Sequence, residues 1–275
     1  MKIDAHQHFW KFDPKRDSWI TDDMRVLKND FMPDDLRPLL QSEGIDGCVA
    51  VQADQSENET EFLLNLAQSH PWIKGVVGWV DLKNNNLESR LNYYGEDVRF
   101  KGVRHILQAE KSGYMLAPDF VNGVKTVGSR GLTYDILSLE SQMEEVFEFV
   151  QQLPAMKLVI DHISKPNIKE QSFDQWRLWM KRISQFDHVH VKLSGMTTEA
   201  NWQTWQAEDF IPYIDTCLEY FGANRLMYGS DWPVSLLAGS YTKTNNAMKS
   251  GVSRLSVDEQ EQIMGLTAVQ FYDLD

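Results

Sequence analysis

Two histidines separated by one residue end the first apolar run, in the sequence Asp4-Ala5-His6-Gln7-His8. Successive side chains of a β-strand alternate between its faces, which predicts that Asp4, His6 and His8 share one face. Two imidazoles spaced in this way can bind one divalent ion or one polar substrate group. Asp4 can then orient one ring through the nitrogen that is not used for binding. A His-x-His pair alone is weak evidence for a functional site. Its position at the carboxyl end of the first predicted strand strengthens that evidence.

Two later apolar runs also end in residues that can carry acid–base chemistry. Asp161 and His162 end one of them, and Asp231 follows the other. Each has an ordinary explanation, because Asp231 can cap the following turn and His162 can be a hydrogen-bonded core residue. The carboxyl ends of parallel barrel strands meet on one face, so the joint occurrence of these residues with the first histidine pair favours a functional site.

Eight short β-rich runs would position these residues, and segments with helical periodicity separate them. The runs are 2–6, 47–52, 75–80, 102–106, 132–137, 157–161, 190–193 and 225–228, and helical segments include 33–42, 59–69, 142–153 and 173–186. Several runs are apolar without alternation, which is typical of parallel strands covered on both faces. We predict an α/β fold, a (β/α)8 TIM barrel forming a single domain over residues 1–275. An open doubly wound sheet competes, but no glycine-rich phosphate loop follows the first run.

Composition narrows the classes of partner. The chain has 275 residues, an ordinary length for one closed α/β barrel, and a formal net charge of -13. This charge repels phosphate backbones and anionic membranes, so we expect neither nucleic acid nor a membrane as partner. The amino terminus lacks the apolar stretch of a signal peptide and no run approaches ~18 apolar residues, which predicts a cytoplasmic protein. Cys48 and Cys217 are isolated, which favours reduced core residues.

The interval after the first run is long and rich in aromatic residues. It carries Trp10, Phe12 and Trp19 within residues 9–30. A loop at this place would cover the mouth of the barrel, where loops commonly shape substrate pockets. The alternative is that these aromatic side chains only pin a long loop to the barrel, and the sequence leaves both open.

Six motifs resemble the amidohydrolase superfamily, and more narrowly its sugar-lactonase-like branch, which includes L-fuconolactonase and L-rhamnonolactonase. The motifs are Asp-Ala-His-Gln-His-Phe-Trp at 4–10, Val-Gln-Ala at 51–53, Lys-Gly-Val-Arg-His at 101–105, Ile-Asp-His at 160–162, Lys-Leu-Ser-Gly at 192–195 and Tyr-Gly-Ser-Asp-Trp-Pro at 228–233. The resemblance spans the whole chain. Its opening and closing motifs are specific for the branch and less so for one substrate.

The resemblance implies hydrolysis of an aldonolactone to its acid, with a small-molecule sugar lactone as substrate. Asp231 would be the general base for water, and His162, with His6 and His8 acting directly or through one metal ion, would polarise the carbonyl. His6, His8 and Asp231 would hold that ion, for which zinc is favoured, although some relatives work without metal. A two-metal centre is not expected, because binuclear members have a carboxylated Lys or a Glu at the end of the fourth strand and a His at the end of the fifth. Here the fourth run carries Arg104 and His105 near its end, and the fifth lacks a histidine.

Four further residues are predicted to contact substrate: Arg104, Trp10, Gln52 and Trp232. Arg104 is expected to bind the carbonyl side or a hydroxyl group, and either Arg104 or its neighbour His105, not both, should point inward. The alternative for Arg104 is a structural ion pair, with Asp135 as the suggested partner. The alternative for the two tryptophans and Gln52 is packing at the barrel mouth.

Two other functions remain open at this point. One is a metal-dependent decarboxylase of a cyclic or aromatic carboxylic acid on the same scaffold, and the other is a non-catalytic barrel that binds carbohydrate or metal. A fold of this kind hosts many chemistries, so it cannot name the reaction by itself. The sequence also leaves open whether the protein forms a homo-oligomer.

Overall fold

The computed structural model describes residues 1–171 and 173–275, and within them the chain forms a (β/α)8 TIM barrel. Eight parallel strands lie side by side in chain order. They are β1 (Ile3–Gln7), β2 (Gly47–Val51), β3 (Ile73–Gly78), β4 (Phe100–His105), β5 (Thr133–Ile136), β6 (Leu158–Ile160), β7 (Val189–Leu193) and β8 (Leu226–Tyr228). The predicted fold is confirmed, and every predicted run overlaps its strand, with ends that differ by no more than two residues.

Helices cover the outside of the barrel. They are α1 (Pro33–Glu43), α2 (Glu57–Ser69), α3 (Leu87–Gly95), α4 (Pro118–Ser129), α5 (Met143–Gln151), α6 (Asp174–Ile183), α7 (Met196–Glu199), α8 (Ile211–Phe221), α9 (Tyr241–Val252), α10 (Val257–Glu261) and α11 (Thr267–Tyr272). Local sequence explains several of them. Ser56 caps α2 by accepting the Glu59 N–H at 3.2 Å. In α6, Trp176, Trp179, Met180 and Ile183 are buried at the three- and four-residue spacing of an amphipathic helix.

The barrel closes where the end of β1 meets the segment after β8. The Asp231 N–H donates to the His6 carbonyl at 2.8 Å, and the His8 N–H donates to the Trp232 carbonyl at 2.7 Å. These two backbone hydrogen bonds bring the residues predicted from opposite ends of the chain into register. The long loop after β1 returns across the same region, where Trp10 and Phe31 pair their backbones.

Apolar side chains fill the lower part of the barrel interior. They come from five strands and from the carboxyl-terminal segment: Ile3, Ala5, Val49, Val51, Val77, Val159, Met227, Ala268, Phe271, Tyr272 and Leu274. The carboxyl-terminal residues therefore plug the bottom of the barrel, where His190 packs its ring against Phe271. Cys48 and Cys217 are buried and unbonded. Within the described residues, we find no helix long and apolar enough to cross a membrane.

The predicted role of Asp4 is wrong, because strict alternation fails in β1. The pairing of β1 with β2 shifts between Asp4 and Gln7. Ile3 and Ala5 point into the barrel, whereas Asp4 turns away and accepts hydrogen bonds from the Ser230 N–H at 2.8 Å and the Tyr241 hydroxyl at 3.0 Å. Burial raises the pKa of Asp4 to about 6. An irregularity of this kind re-aims the side chains that follow it, so His6 faces inward without Asp4 beside it.

We predict that Gly265→Ala destabilises the barrel by about 1–3 kcal/mol, because the added methyl group overpacks the bottom. A Cβ at this position would lie 2.1 Å from the Met1 carbonyl oxygen and 2.8 Å from the Lys2 Cα, both backbone atoms. Urea unfolding measures the change. Gly95→Ala is the matched control, since a Cβ there meets nothing within 4 Å. Equal stabilities for the two variants would contradict this account of the barrel bottom.

Candidate active site

A cavity of about 300 Å³ opens at the carboxyl ends of the strands. Its lining comes from the loop after β1 and from the ends of several strands: His8, Trp10, Trp19, Ala53, Gln55, Arg104, Ile106, Gln108, Ala109, Leu137, His162, Lys165, Asp231 and Val234. The cavity therefore combines a wide apolar wall with a few polar groups, a composition typical of small-molecule sites. Larger depressions elsewhere on the surface hold none of the clustered histidines.

Three imidazoles converge on one carboxylate. The Asp231 Oδ1 lies 3.4 Å from His8 Nε2, 3.8 Å from His162 Nε2 and 4.0 Å from His6 Nε2. All four residues are buried, with no more than 4 % of their surface exposed. Residues from β1, the end of β6 and the segment after β8 thus form one compact polar cluster.

The Nδ1 atom of each histidine contacts a neighbouring residue on the side of the ring away from the cavity. His8 Nδ1 lies 2.8 Å from the Val51 carbonyl oxygen, and His162 Nδ1 lies 2.8 Å from Ser194 Oγ. His6 Nδ1 lies 3.1 Å from Lys192 Nζ and 3.3 Å from Asp161 Oδ1. These contacts fix the ring orientations, so the Nε2 atoms of His8 and His162 are directed towards Asp231. The Nε2 atom of His6 lies 3.3 Å from Arg104 Nη1 and 4.0 Å from Asp231.

An unusual backbone turn after β6 places the His162 side chain at the cavity. Four successive residues, His162, Ile163, Ser164 and Lys165, have φ between 49° and 59°. Such left-handed conformations cost roughly 1–3 kcal/mol for residues other than glycine and persist only where the surroundings enforce them. Gly195 makes room for this turn, because a Cβ there would lie 2.7 Å from the His162 ring. The turn places both His162 and Lys165 at the cavity.

A buried ionic network lies beneath the histidines. Lys192 Nζ donates to Asp135 Oδ2 at 2.5 Å and lies 3.1 Å from Asp161 Oδ1. Asp161 Oδ2 accepts from Arg104 Nη1 at 3.2 Å, and the Tyr272 hydroxyl donates to Asp135 at 2.8 Å. Lys192, Asp135 and Asp161 are 0 % exposed. Buried charges persist only when they are paired, so the groups of this network have one favoured arrangement. Lys192 and Asp161 then support the His6 ring at its Nδ1 atom.

Burial and charge set the protonation states of the site. Burial raises the pKa of the Asp231 carboxyl, yet the imidazoles of His162, His8 and His6 outweigh burial and hold it well below its usual range. Burial also lowers the pKa of His162 to about 4. At neutral pH, Asp231 is therefore an ionised carboxylate and His162 a neutral imidazole. An ionised carboxylate at the cavity can accept a proton from a water molecule held beside it.

The structure brings some predicted residues to the cavity and not others. His8, His162, Asp231, Arg104 and Trp10 line it, and His6 lies directly behind Asp231.

Two of the predicted substrate contacts do not reach the cavity. Gln52 is fully buried and donates to the Arg104 carbonyl at 3.2 Å, and Trp232 packs its ring against Phe9 and Phe31. Both positions correspond to packing below the mouth, which was the alternative considered for them. Arg104 points inward while His105 faces Trp79, and the ion-pair partner of Arg104 is Asp161, not the suggested Asp135.

Sequence reasoning did not identify Lys192, Lys165, Gln55 or Gln108 as site residues. The sequence could have indicated Lys192, because it lies within the apolar run Val-His-Val-Lys-Leu. A lysine in a buried strand needs a partner of opposite charge. Lys165, Gln55 and Gln108 lie on loops after strands, and loop residues have no periodicity that shows where they point. Their place in the cavity follows from the fold alone.

The cluster fits a single divalent ion. The Val51 carbonyl can only accept, so Nδ1 of His8 carries a proton, and in the singly protonated ring Nε2 has the lone pair. That lone pair faces the ionised Asp231 oxygen, and two acceptors at this separation require a proton or a cation between them. His6, His8 and Asp231 offer ligand atoms within 4.8 Å of one another. Two imidazole nitrogens and one carboxylate oxygen form a donor set that suits zinc.

Comparisons with known proteins agree with this geometry. The chain matches the amidohydrolase family over residues 3–274. It is 37% identical to an L-fucono-1,5-lactonase of Burkholderia multivorans (strain ATCC 17616 / 249), over 100% of this chain and 96% of that protein. It is 32% identical to an L-fucono-1,5-lactonase of Burkholderia ambifaria, with the same coverage. The crystal structure of an amidohydrolase from Burkholderia multivorans with bound zinc superposes with a TM-score of 0.97, at 36% identity over 100% of both chains.

We predict that Lys192→Met lowers the free energy of unfolding by about 3–5 kcal/mol, because it leaves the buried Asp135 carboxylate facing an apolar side chain. Urea denaturation measures the loss. Lys157→Met is the control, since its ion pair with Asp273 is exposed and worth no more than about 1 kcal/mol. The double variant Lys192→Met/Asp135→Leu should recover part of the loss. A Lys192→Met protein as stable as the control would contradict the paired-charge network.

Proposed function

This chain belongs to the amidohydrolase family, and we propose that it hydrolyses a sugar lactone to the corresponding aldonic acid. The convergence of three imidazole Nε2 atoms on the Asp231 carboxylate at the cavity carries the proposal. The names of the two Burkholderia relatives support the substrate class. We further propose that residues 1–275 act as one domain, with a small molecule as partner and neither nucleic acid nor a membrane.

Two unpaired polar atoms favour a hydroxylated substrate. Gln108 Oε1 and Arg104 Nε are buried and have no hydrogen-bond partner among the described residues, and both residues line the cavity. An unpaired buried donor or acceptor costs about 1–3 kcal/mol, which a substrate that supplies the missing partner recovers. Gln108 can accept a hydroxyl proton, and Arg104 can donate to a carbonyl or hydroxyl oxygen. A polyhydroxylated lactone satisfies both.

The reaction follows from the positions of these groups. Asp231 accepts a proton from a water molecule as the water oxygen bonds to the lactone carbonyl carbon. The carbonyl oxygen gains negative charge, which donors directed at that oxygen stabilise. The ring C–O bond then breaks, and Asp231 returns its proton to the ring oxygen. The product is an open-chain hydroxy acid, which ionises at neutral pH, and Asp231 is again a carboxylate.

We propose that His162 and Arg104 stabilise the carbonyl oxygen and that His6, His8 and Asp231 hold one zinc ion. When bound, such an ion supplies a Lewis acid that polarises an oxygen and lowers the pKa of a bound water. Arg104 is held for this role because Asp161 accepts from its Nη1 and the Gln52 carbonyl accepts from its Nη2. The Nε–H of Arg104 has no hydrogen-bond partner among the described residues, and we propose it as a donor to the substrate.

We predict that Asp231→Asn lowers kcat by at least about 10³-fold, because the amide cannot accept the proton from water. A pH-indicator assay with a panel of L- and D-aldonolactones measures the rate. Asp54→Asn is the matched control, since this carboxylate pairs with Ser56 near the mouth and does not line the cavity. Unchanged turnover by Asp231→Asn, or carbon dioxide release in place of lactone opening, would exclude the proposed reaction.

Metal analysis tests the ion separately from turnover. We expect about one zinc per chain in the native protein and a clear loss in His8→Gln, because one of the three proposed ligands is replaced. His105→Gln is the control, since this ring contacts Trp79 and Glu110 and does not line the cavity. Retention of zinc by His8→Gln, or lactonase activity that survives complete removal of metal, would contradict the proposed zinc site.

A further inference from the structure

Two cationic side chains line the cavity, and their surroundings differ. Arg104 is 3 % exposed, and its terminal nitrogens are engaged by Asp161 and the Gln52 carbonyl. Lys165 has a side chain that is 20% exposed, and its Nζ lies 3.8 Å from Glu199 Oε1. That separation exceeds a direct hydrogen bond, so the ammonium is loosely held. Lys165 is therefore the cation that can bind a ligand group without giving up a short ion pair.

The proposed reaction changes the charge of the bound molecule. A lactone is an uncharged ester, whereas the hydroxy acid formed from it is an anion at neutral pH. A cation in a partly desolvated cavity stabilises an anion more than a neutral ligand of the same size. The Lys165 ammonium at the cavity therefore stabilises the product carboxylate more than the neutral lactone.

The backbone gives Lys165 a fixed place in this arrangement. Lys165 ends the left-handed turn that begins at His162, and its N–H donates to the His162 carbonyl at 2.8 Å. The strained turn therefore delivers one residue that contacts Asp231 and a second, three positions later, that lines the same cavity. Strain of this kind is retained at functional sites, where the surrounding structure enforces it.

We infer that Lys165 binds the carboxylate of the hydroxy acid product and so determines product affinity more than lactone affinity. This inference rests on the proposed lactonase function. Glu199 competes with the product for the ammonium. Release of the product then depends on how readily Lys165 returns to Glu199.

Product inhibition tests the inference. L-fuconate, the acid that L-fucono-1,5-lactone yields, is the anionic probe, and L-fucitol, which has no carboxylate, is the neutral one. For Lys165→Met we expect the inhibition constant of L-fuconate to rise about 10-fold or more, as for loss of a charged hydrogen bond, while the KM of the lactone changes less than about threefold. L-fucitol affinity should not distinguish the variant from the native protein.

Three further variants complete the design. Lys165→Arg should keep L-fuconate affinity, and Glu199→Gln should strengthen it because the competing carboxylate is gone. Lys169→Met, which removes an equal charge from an exposed position outside the cavity, should leave it unchanged. Equal effects of Lys165→Met on L-fuconate and on the lactone, or unaltered L-fuconate affinity in a folded Lys165→Met protein, would overturn the inference. If Lys165→Met does not fold, the Glu199→Gln result decides.

Calorimetric titration of L-fuconate separates this inference from the proposed function. Binding of the acid needs no turnover, so its dependence on Lys165 is measurable even if the native protein opens no lactone. Absence of lactone hydrolysis with Lys165-dependent acid binding would reject the lactonase alone. Lactone hydrolysis with acid binding that ignores Lys165 would reject the inference alone.

Discussion

The two backbone hydrogen bonds that close the barrel between β1 and the segment after β8 determine the geometry of the whole site. They run from the Asp231 N–H to the His6 carbonyl and from the His8 N–H to the Trp232 carbonyl. Residues that close the barrel therefore also form the cluster of imidazoles around Asp231. Gly229 permits this approach, because a Cβ there would lie 2.5 Å from the His6 Cβ. The separation between the carboxylate and the imidazoles is thus a property of the main chain, which side-chain motion alone changes little.

The interior of the barrel divides into two layers with different physical tasks. The lower layer is mostly apolar and is closed by Phe271 and neighbouring carboxyl-terminal residues. It stabilises the fold mainly through the burial of apolar surface. The upper layer contains Lys192, Asp135, Asp161 and Arg104, whose charges survive burial only because each faces an opposite charge. Such networks add little net stability, but they restrict the neighbouring rings to one arrangement. Tyr272 joins the layers by donating to Asp135.

The loop after β1 serves both of the roles considered for it. Trp10 pairs its backbone with Phe31 and donates its indole N–H to the Asn29 carbonyl, which pins the loop to the barrel. The same tryptophan also lines the cavity, together with Trp19, which is 44% exposed. A residue that is anchored on one side and faces the ligand on the other provides a rigid wall. Loops differ more than barrel strands between proteins of one fold, so such a wall is a place where the shape of the cavity is set.

The sequence by itself determined the fold class, the approximate limits of all eight strands, and the four residues that form the buried histidine–aspartate cluster. This was achievable because strand periodicity is local, and because the carboxyl ends of parallel strands must meet, wherever they occur in the chain. Only the tertiary structure decided that Asp4 turns outward at an irregularity in β1, that Arg104 pairs with Asp161, and that Gln52 lies below the cavity while Lys165 and Gln108 face it. Those outcomes depend on strand register, buried charge pairing and loop paths, which are set by contacts between residues far apart in the chain.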